Sequence, residues 1–328
     1  MKKLWMLFSV ILVLSCTKKT EPIPLSFYYW KTNFQLTETE KQYLNDLDVT
    51  KLYIRYFDIS LKDSIAIPVA PVVFNQNVEA YDVVPVIYIK NEVFLLNGAA
   101  DSLAVKVYNY IQQINKSANV SVNEIQFDCD WSLKSKQNYF QFLEEFKKLH
   151  PNLSATIRLH QIKYPDKTGI PDVDKGVLMY YNMGVISSGD NNSIYDRSVA
   201  QRYIKSLQNY SLPLNMALPV FSWGVHIRGN QVTNLISGLR VNDLVGDQFE
   251  KISENRFKVL EDVVFKGRYL AKNDEIKMEA VSAEQLREMM HDIEKNSKHK
   301  PNEIILYDLN ENNLNAYEKE DFKTVNHW

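Results

Sequence analysis

The chain has 328 residues, with 38 Lys and Arg against 40 Asp and Glu, which gives a formal net charge of −2. Nucleic acid is excluded as a partner, because binding phosphates requires a clustered positive surface and the sequence contains no basic block. Two cysteines allow no disulfide framework, and the sequence has no zinc-type Cys/His spacing, so we predict neither a metal nor a cofactor.

The chain opens with MKKLWMLFSVILVLSCTKK, in which two lysines precede an apolar run from Leu4 to Leu14. This run is too short to span a bilayer but suits the core of a secretory signal. Its end, VLSC, resembles the lipobox of bacterial lipoproteins, in which the cysteine is lipidated after cleavage. We therefore expect a signal peptide over residues 1–15, lipidation of Cys16 and a tether over residues 16–24. An ordinary cleaved signal with a nearby cysteine is the alternative.

Eight strand-like apolar runs follow, at residues 25–32, 51–59, 83–90, 124–131, 153–161, 176–184, 214–223 and 303–310. Segments with apolar residues at three- and four-residue steps lie between several of them, as in amphipathic helices. Ser135 and Ser198 are the expected N-caps of two such helices. Strands alternating with helices predict a (β/α)8 TIM barrel over residues 25–328. A doubly wound sheet is the alternative, weakened because no Gly-rich phosphate turn follows the first strand.

The segment from about 224 to 281 is too long for a simple loop. Its alternating runs are separated by the turn-like stretches SEN and AKND, so we predict a small antiparallel β insertion between strand 7 and helix 7. Ser282 and Gln285 stand in capping-box spacing at the start of the expected seventh helix.

The fourth predicted strand contains the stretch NEIQFDCDWS, residues 123–132, with two acids two positions apart. Strand alternation places Asp128 and Asp130 on the inward face, whereas Phe127 and Cys129 face the helices. Cys129 is thus expected to be a small buried hydrophobe, with a catalytic thiol as the alternative. An acidic inward face requires cations, hydrogen bonds or a solvated site. Because barrel active sites lie at the carboxyl ends of the strands, these acids are the first candidates for chemistry.

By the same alternation Arg158 and His160 on the fifth strand point inward, as do Arg55 and Phe57 on the second. A pairing of Arg158 with Asp128 would offset the cost of burying either charge. A purely structural ion pair inside the barrel is the alternative.

The last three strands end in Tyr181 and Asn182, in Trp223, and near Asp308. A hydroxyl, an amide and an indole around carboxylates suit a sugar site, where the polar groups orient the ligand and the indole stacks on a ring. Trp223 as a packing residue and His160 as a structural residue are the alternatives. We expect Asp128, Asp130 and Tyr181 as catalytic groups and Arg55, Arg158, His160, Asn182, Trp223 and Asp308 as substrate-binding groups.

With these residues placed, the chain resembles the family 18 glycoside hydrolases, the chitinases and endo-β-N-acetylglucosaminidases. Their fourth strand contains DxxDxDxE and their sixth contains MxYD or MxYN. FDCDWS is similar to the second half of the first motif, and MYYN, from Met179 to Asn182, matches the second. The resemblance implies a barrel that binds or cleaves a glycan.

The sequence departs from this family at the general acid, a Glu whose position is occupied by Ser132, and at the first Asp, replaced by Ile125. Serine has no proton to donate at a useful pKa, so the family's substrate-assisted mechanism lacks its acid. Either another carboxylate, Asp308 or Asp58, serves instead, or the barrel only binds. The chain also resembles uncharacterised barrel lipoproteins of the Bacteroidetes, which implies a location and a fold but no activity.

The sequence therefore predicts a lipid-anchored, glycoside-hydrolase-like barrel that acts on or binds a polysaccharide or glycan. We expect a monomer in the cell envelope, anchored to a bacterial membrane, the outer one. The alternative is a non-catalytic glycan-binding or cell-envelope lipoprotein that has lost the catalytic acid. The sequence leaves open whether the protein is an enzyme.

Overall fold

A computed structural model of the chain describes residues 22–96 and 100–327. The predicted signal peptide and Cys16 lie outside the described residues. The strands are β1 (Leu25–Tyr29), β2 (Asn33–Phe34), β3 (Lys51–Lys62), β4 (Ile65–Val69), β5 (Val73–Phe74), β6 (Asp82–Ile89), β7 (Ile125–Asp128), β8 (Leu153–Arg158), β9 (Lys175–Met179), β10 (Leu214–Pro219), β11 (Ser222–Arg228), β12 (Gln231–Ser237), β13 (Phe249–Lys251), β14 (Arg256–Val259), β15 (Val263–Phe265), β16 (Arg268–Leu270), β17 (Glu275–Ala280) and β18 (Ile304–Tyr307). The helices are α1 (Glu38–Asp46), α2 (Ala100–Ala118), α3 (Lys136–Leu149), α4 (Leu159–Lys163), α5 (Pro165–Thr168), α6 (Arg197–Ile204), α7 (Ala283–Asn296), α8 (Glu311–Leu314) and α9 (Lys319–Val325).

Eight parallel strands close into a barrel in the order β1, β3, β6, β7, β8, β9, β10 and β18, with β1 paired to both β3 and β18. Each of the eight overlaps one of the predicted strands, so the predicted (β/α)8 barrel is confirmed. The closed sheet has no free edge among these strands. The end of β3 continues beyond the barrel and forms an antiparallel hairpin with β4. The carboxyl ends of all eight strands therefore meet at one mouth.

The alternation predicted for the fourth barrel strand is present in β7. Phe127 faces outward and packs on two rings of α3, those of Phe142 and Phe146, with centroids 5.0 and 4.7 Å away. On the inward face the Gln126 amide accepts a hydrogen bond from Tyr28 Oη, at 2.6 Å. Cys129 is buried, and burial raises the pKa of its thiol well above the usual value, as expected for a packing residue.

Helix boundaries follow local capping chemistry. Helix α7 begins after Ser282, whose hydroxyl accepts from the Gln285 amide while the Gln285 side chain accepts from the Ser282 N–H, as predicted. Helix α6 begins earlier than predicted, because Asp196 rather than Ser198 is its N-cap. Among the described residues no helix is both long and apolar enough to cross a membrane.

The predicted antiparallel insertion is confirmed as a five-stranded sheet in the order β12-β11-β17-β14-β13, followed along the chain by α7. Its own apolar core lies apart from the barrel core and is formed by residues such as Leu239 and Ile276. Gly224 allows this packing, because a Cβ there would lie 2.3 Å from Leu239 Cδ2. The insertion thus stands on the barrel mouth, with β11 leading directly away from it.

Candidate functional site

A cavity of about 440 Å³, here called the mouth cavity, opens at the carboxyl ends of the barrel strands. It is lined by Trp30, Lys31, Asp128, Arg158, Met179, Tyr181, Asn182, Phe221, Ser222, Trp223, Ser237, Gly238, Tyr307, Asp308, Asn310, Asn312 and Asn313. Six of the nine residues expected in the site are among them.

Asp128 lies at the floor of the mouth cavity and is only 5% exposed. Burial raises the pKa of this carboxyl, an effect that Arg158 partly offsets and Asp130 reinforces. It accepts a hydrogen bond from Thr156 Oγ1 on the neighbouring strand, at 2.7 Å. A carboxyl in this environment holds its proton to a higher pH than an exposed one.

Arg158 pairs with Asp130 rather than with Asp128, contrary to the sequence prediction. Its Nε and Nη2 both donate to the Asp130 carboxylate, with Nη2 3.0 Å from Oδ2. The pairing differs because β7 ends at Asp128, so Asp130 lies beyond the strand and reaches across. The two side chains are 23% and 51% exposed, so the ion pair is partly solvated rather than buried.

A second cavity of about 390 Å³, here called the Asp130 cavity, adjoins the first. Arg158, Tyr181 and Asn182 line both cavities and so form the partition between them. The two acids of the FDCDWS stretch therefore face different cavities. Asp128 borders the mouth cavity and Asp130 borders the other.

His160 does not point inward from the fifth barrel strand, so that expectation is wrong. Strand β8 ends at Arg158 and α4 begins at Leu159, which places His160 on a short helix at the rim. There it borders the Asp130 cavity. Partial burial lowers the pKa of its imidazole, although the Asp130 carboxylate opposes that shift.

Arg55 was expected in the substrate site, but it lines neither the mouth cavity nor the Asp130 cavity and lies at an irregularity in β3. The register of β3 against β6 shifts between Arg55 and Phe57, so Phe57 faces outward onto Tyr110 of α2, 4.8 Å between ring centroids. The prediction that Phe57 points inward is therefore wrong. The same shift brings Asp58 beside Arg55, whose Nε and Nη2 lie 2.7 and 2.6 Å from the Asp58 carboxylate oxygens. The guanidinium also lies over Trp30, which lines the mouth cavity.

Five aromatic side chains make a continuous wall of the mouth cavity. Tyr307 contacts Trp30 at 5.5 Å and stacks on Tyr181 at 5.4 Å between centroids. Phe221 contacts Tyr307 at 5.6 Å and Trp223 at 5.1 Å. Aromatic faces of this kind suit the apolar face of a sugar ring.

Tyr181 and Asn182 close the MYYN stretch at the end of β9. The Tyr181 hydroxyl is buried and donates to Met179 Sδ at 3.1 Å, and burial raises the pKa of the phenol well above its usual value. Asn182 is exposed and adopts a left-handed backbone with φ 55°, which asparagine tolerates better than most residues. Its amide is therefore presented to the solvent side of the partition.

Trp223 is not the end of the seventh barrel strand as predicted. Strand β10 ends at Pro219, and Trp223 is the second residue of the insertion strand β11. Its indole Nε1 donates to Glu279 Oε2 on β17, at 2.8 Å. Glu279 is 1% exposed and forms an ion pair with the fully buried Lys277, 2.7 Å between Oε1 and Nζ. Lys277 also donates to three backbone carbonyls of the loop after β9, at 2.8 to 2.9 Å.

Asp308 follows β18 and lines the mouth cavity. Burial raises the pKa of its carboxyl to about 6, although Lys31 opposes the shift. Asn313 Nδ2 donates to its Oδ1 at 2.5 Å.

The acids near the mouth are each engaged by a different partner, namely Thr156, Arg158, Arg55 and Asn313. Over residues 22–96 and 100–327, no group of three or more His, Cys, Asp or Glu side chains is arranged to hold a metal ion.

Ser132 occupies the position at which the family 18 motif has its Glu, and it lines neither the mouth cavity nor the Asp130 cavity. Its N–H donates to Ser135 Oγ at 2.9 Å and to Asn91 Oδ1 at 3.2 Å. Its hydroxyl lies 3.2 Å from Ser135 Oγ. The residue therefore belongs to the turn that leads into α3.

Sequence reasoning missed Trp30, Phe221 and Tyr307 in the aromatic wall. Trp30 follows the first strand directly in the stretch FYYW, and an aromatic residue at a strand end is a signal that points to the mouth. Reasoning from sequence also missed Lys277 and Glu279. They stand two positions apart in the stretch EIKMEA, so strand alternation places both charges on one face of an insertion strand.

No protein-family model matches the sequence, and no curated protein sequence matches it significantly. The structure is similar to a class V chitinase from Nicotiana tobaccum, with a TM-score of 0.56 and 10% identity over 93% of this chain and 99% of that one. A family 18 chitinase from Cycas revoluta in complex with (GlcNAc)3 has a TM-score of 0.56 and 10% identity, over 92% of this chain and 99% of that one. A chitinase-like agglutinin from Robinia pseudoacacia has a TM-score of 0.56 and 13% identity, over 92% of this chain and 99% of that one. These similarities confirm the predicted resemblance to family 18 barrels at the level of the fold.

Proposed function

We propose that the protein binds an oligosaccharide in the mouth cavity without cleaving it by the family 18 mechanism. The observation that supports this most is the aromatic wall that ends in Trp223, whose indole is fixed by Glu279 while its side chain stays half-buried at the cavity. Around it lie the amides of Asn182, Asn310 and Asn312, which suit sugar hydroxyls.

The state of the acidic groups favours binding over hydrolysis by that mechanism. Ser132 supplies no proton, and it borders a separate cavity with Tyr164 and Thr168 rather than the mouth cavity or the Asp130 cavity. The Asp130 carboxylate is held by two hydrogen bonds from Arg158. Neither group is placed to protonate a glycosidic oxygen in the mouth cavity.

Hydrolysis with Asp308 as the general acid is the second candidate. An acid must be partly protonated at the working pH, and Asp308, with a pKa raised to about 6, meets that requirement inside the cavity. Asp308 would give its proton to the leaving oxygen as the glycosidic bond breaks. Water would add to the anomeric carbon, and the proton that it releases would reprotonate Asp308.

A panel of N-acetylchito-oligosaccharides and other β-linked oligosaccharides separates the two candidates. Binding is measured as a rise in melting temperature, and cleavage as the appearance of shorter products by mass spectrometry. The proposal predicts stabilisation with no products. Products formed by the wild type and lost in Asp308→Asn would instead establish the second candidate, and neither stabilisation nor products would contradict both.

We also propose that Cys16 is lipidated and holds the barrel at a bacterial membrane of the cell envelope. The support is the lysine-flanked apolar run that ends in VLSC. Cys16→Ala should move the protein from the membrane to the soluble fraction or block its maturation. Wild-type protein found soluble, with an unmodified Cys16 by mass spectrometry, would overturn this proposal.

A further inference from the structure

A third cavity of about 640 Å³, here called the insertion cavity, lies where the insertion meets the barrel. Ser222 lines both this cavity and the mouth cavity. In addition, Ser237 and Gly238 border the mouth cavity, and the next two residues, Leu239 and Arg240, border the insertion cavity. A chain of sugar rings bound in the mouth cavity therefore has a neighbouring space into which it can extend.

Seven of the twelve residues that line the insertion cavity are polar or charged. Four amide side chains border it, those of Asn192, Asn242, Asn255 and Asn315. Amide groups both donate and accept hydrogen bonds, which suits the hydroxyls of a carbohydrate.

Arg240 is the cation of this wall, and within the part of the chain that the structure describes it forms no ion pair. Its Nε and Nη2 are shielded from solvent and have no hydrogen-bond acceptor among the described residues. Two other arginines of the insertion are paired, Arg228 with Asp274 at 2.7 Å and Arg256 with Glu275 at 3.0 Å. Arg240, which lies between β12 and β13, has no such partner among the described residues.

A guanidinium cannot shed its charge at physiological pH, so burying one without an anion is unfavourable. Loss of hydration lowers the pKa of Arg240, although Tyr317 and Asp243 oppose this shift. Glu254 borders the same cavity but lies beyond ion-pair distance of the guanidinium. An anionic group that enters the cavity would lie beside the guanidinium and balance its charge.

We propose that the insertion cavity binds the carboxylate of an acidic sugar, a uronic acid, that belongs to the same glycan as the rings in the mouth cavity. The inference deepens the proposed function and rests on it for the neutral rings. Arg240 would bind the carboxylate, and the surrounding amides would bind the hydroxyls of the same ring.

The test compares two hexasaccharides of equal length by calorimetry. Hyaluronan hexasaccharide alternates glucuronate with N-acetylglucosamine, whereas N-acetylchitohexaose is neutral. We expect the wild type to bind the acidic ligand at least about tenfold more tightly at low salt, with the preference reduced in about 0.5 M salt. Arg240→Met should abolish the preference and leave the neutral ligand unaffected. Arg268→Met is the matched control, since Arg268 is an exposed insertion arginine whose Nη1 donates to Asn234 Oδ1 at 3.0 Å.

Melting temperatures without an oligosaccharide provide an independent measurement. Arg240→Met should melt at or above the wild-type temperature, because it removes a partly buried cation that lacks a partner. Glucuronate at high concentration should stabilise the wild type, glucose should not, and Arg240→Met should lose the response. A large fall in the melting temperature of Arg240→Met would show an internal partner and overturn the inference.

The two proposals fail in different ways. Equal affinity of the wild type for both hexasaccharides, with no response to glucuronate, would overturn the acidic site and leave the mouth cavity as a neutral glycan site. Acidic binding that is lost in Arg240→Met but unchanged in Trp223→Ala would support the insertion cavity and contradict the mouth cavity. Failure of both ligands to bind, with no response to glucuronate, would contradict both proposals.

Discussion

Trp223 donates its indole N–H to the buried carboxylate of Glu279, with 2.8 Å between Nε1 and Oε2. Although burial alone would raise the pKa of Glu279, hydrogen bonds from Lys277, Ser193 and Trp223 hold it below the usual value, so the acceptor is a charged carboxylate. Lys277 in turn binds three carbonyls of the loop after β9. One buried ion pair of the insertion therefore fixes both an aromatic side chain of the mouth cavity and a loop at its rim.

Glu279→Ala should destabilise the protein by about 3–5 kcal/mol, because it leaves Lys277 buried without its anion. Glu279→Gln should cost less, since the amide oxygen still accepts from Trp223. The free energy of unfolding, measured with urea, checks both values. Glu275→Gln is the control on the same strand, where Glu275 is partly exposed. A loss below about 1 kcal/mol for Glu279→Ala would contradict the assigned role of the ion pair.

Arg158→Met should destabilise the protein by about 1–3 kcal/mol at pH 7, between the values for an exposed and a fully buried ion pair. The intermediate value is expected because Asp130 is half exposed, while Asp128 nearby is buried and relies on the same cation. The loss should shrink as the pH is lowered, because the raised pKa of the Asp128 carboxyl favours its protonation. A loss that is the same at every pH in urea unfolding would contradict the coupling between Arg158 and Asp128.

Asp308 makes folding dependent on pH in a defined direction. Its pKa is about 6 in the folded state, above the ordinary value of about 3.9, so the folded protein binds more protons between these values. Stability should therefore fall as the pH rises from about 4 to 6 and show no further change from this group above that range. Asp308→Asn should remove this dependence and be more stable at pH 7 by at most about 3 kcal/mol. If the free energies of unfolding of the two proteins, measured with urea, changed in the same way from pH 4 to 7, the assigned environment of Asp308 would be contradicted.

Ser132→Glu should not create glycosidase activity, although it restores the residue of the family motif. The backbone at Ser132 is held by Ser135 and Asn91 in the turn before α3, and its side chain lines neither cavity near the acids. Product analysis with N-acetylchitohexaose checks this, with Ser132→Ala as the control for loss of the hydroxyl. New products formed by Ser132→Glu would show that position 132 reaches the substrate and that the site retains the rest of a hydrolytic machinery.

Sequence patterns predicted the barrel because strand periodicity and length are local properties. Alternation placed Phe127 outward and Asp128 inward correctly, since β7 is regular over both residues. The same rule failed at Phe57, because β3 has one extra residue between Arg55 and Phe57 relative to β6, which reverses the alternation beyond it. It also failed beyond Asp128 and Arg158, where β7 and β8 end and the chain leaves the strand geometry.

Long-range pairings were beyond local patterns. Glu279 lies 56 residues after Trp223, and only the fold of the insertion brings their side chains together. The sequence indicated that nine residues would meet at the mouth, and six of them line one cavity. It did not indicate that Asp128 and Asp130 face different cavities, because this depends on where β7 ends and on the side chain of Arg158.

Calorimetric titration of N-acetylchitohexaose into the wild type and Trp223→Ala tests the central claim, glycan binding in the mouth cavity, most directly. Tyr269→Ala is the matched control, since Tyr269 is an exposed insertion aromatic that does not line the cavity. We predict saturable binding to the wild type and to Tyr269→Ala, and binding to Trp223→Ala that is weaker by about 1 kcal/mol or more, roughly fivefold in Kd. Equal affinity of all three proteins, or no binding by folded wild type, would contradict the account.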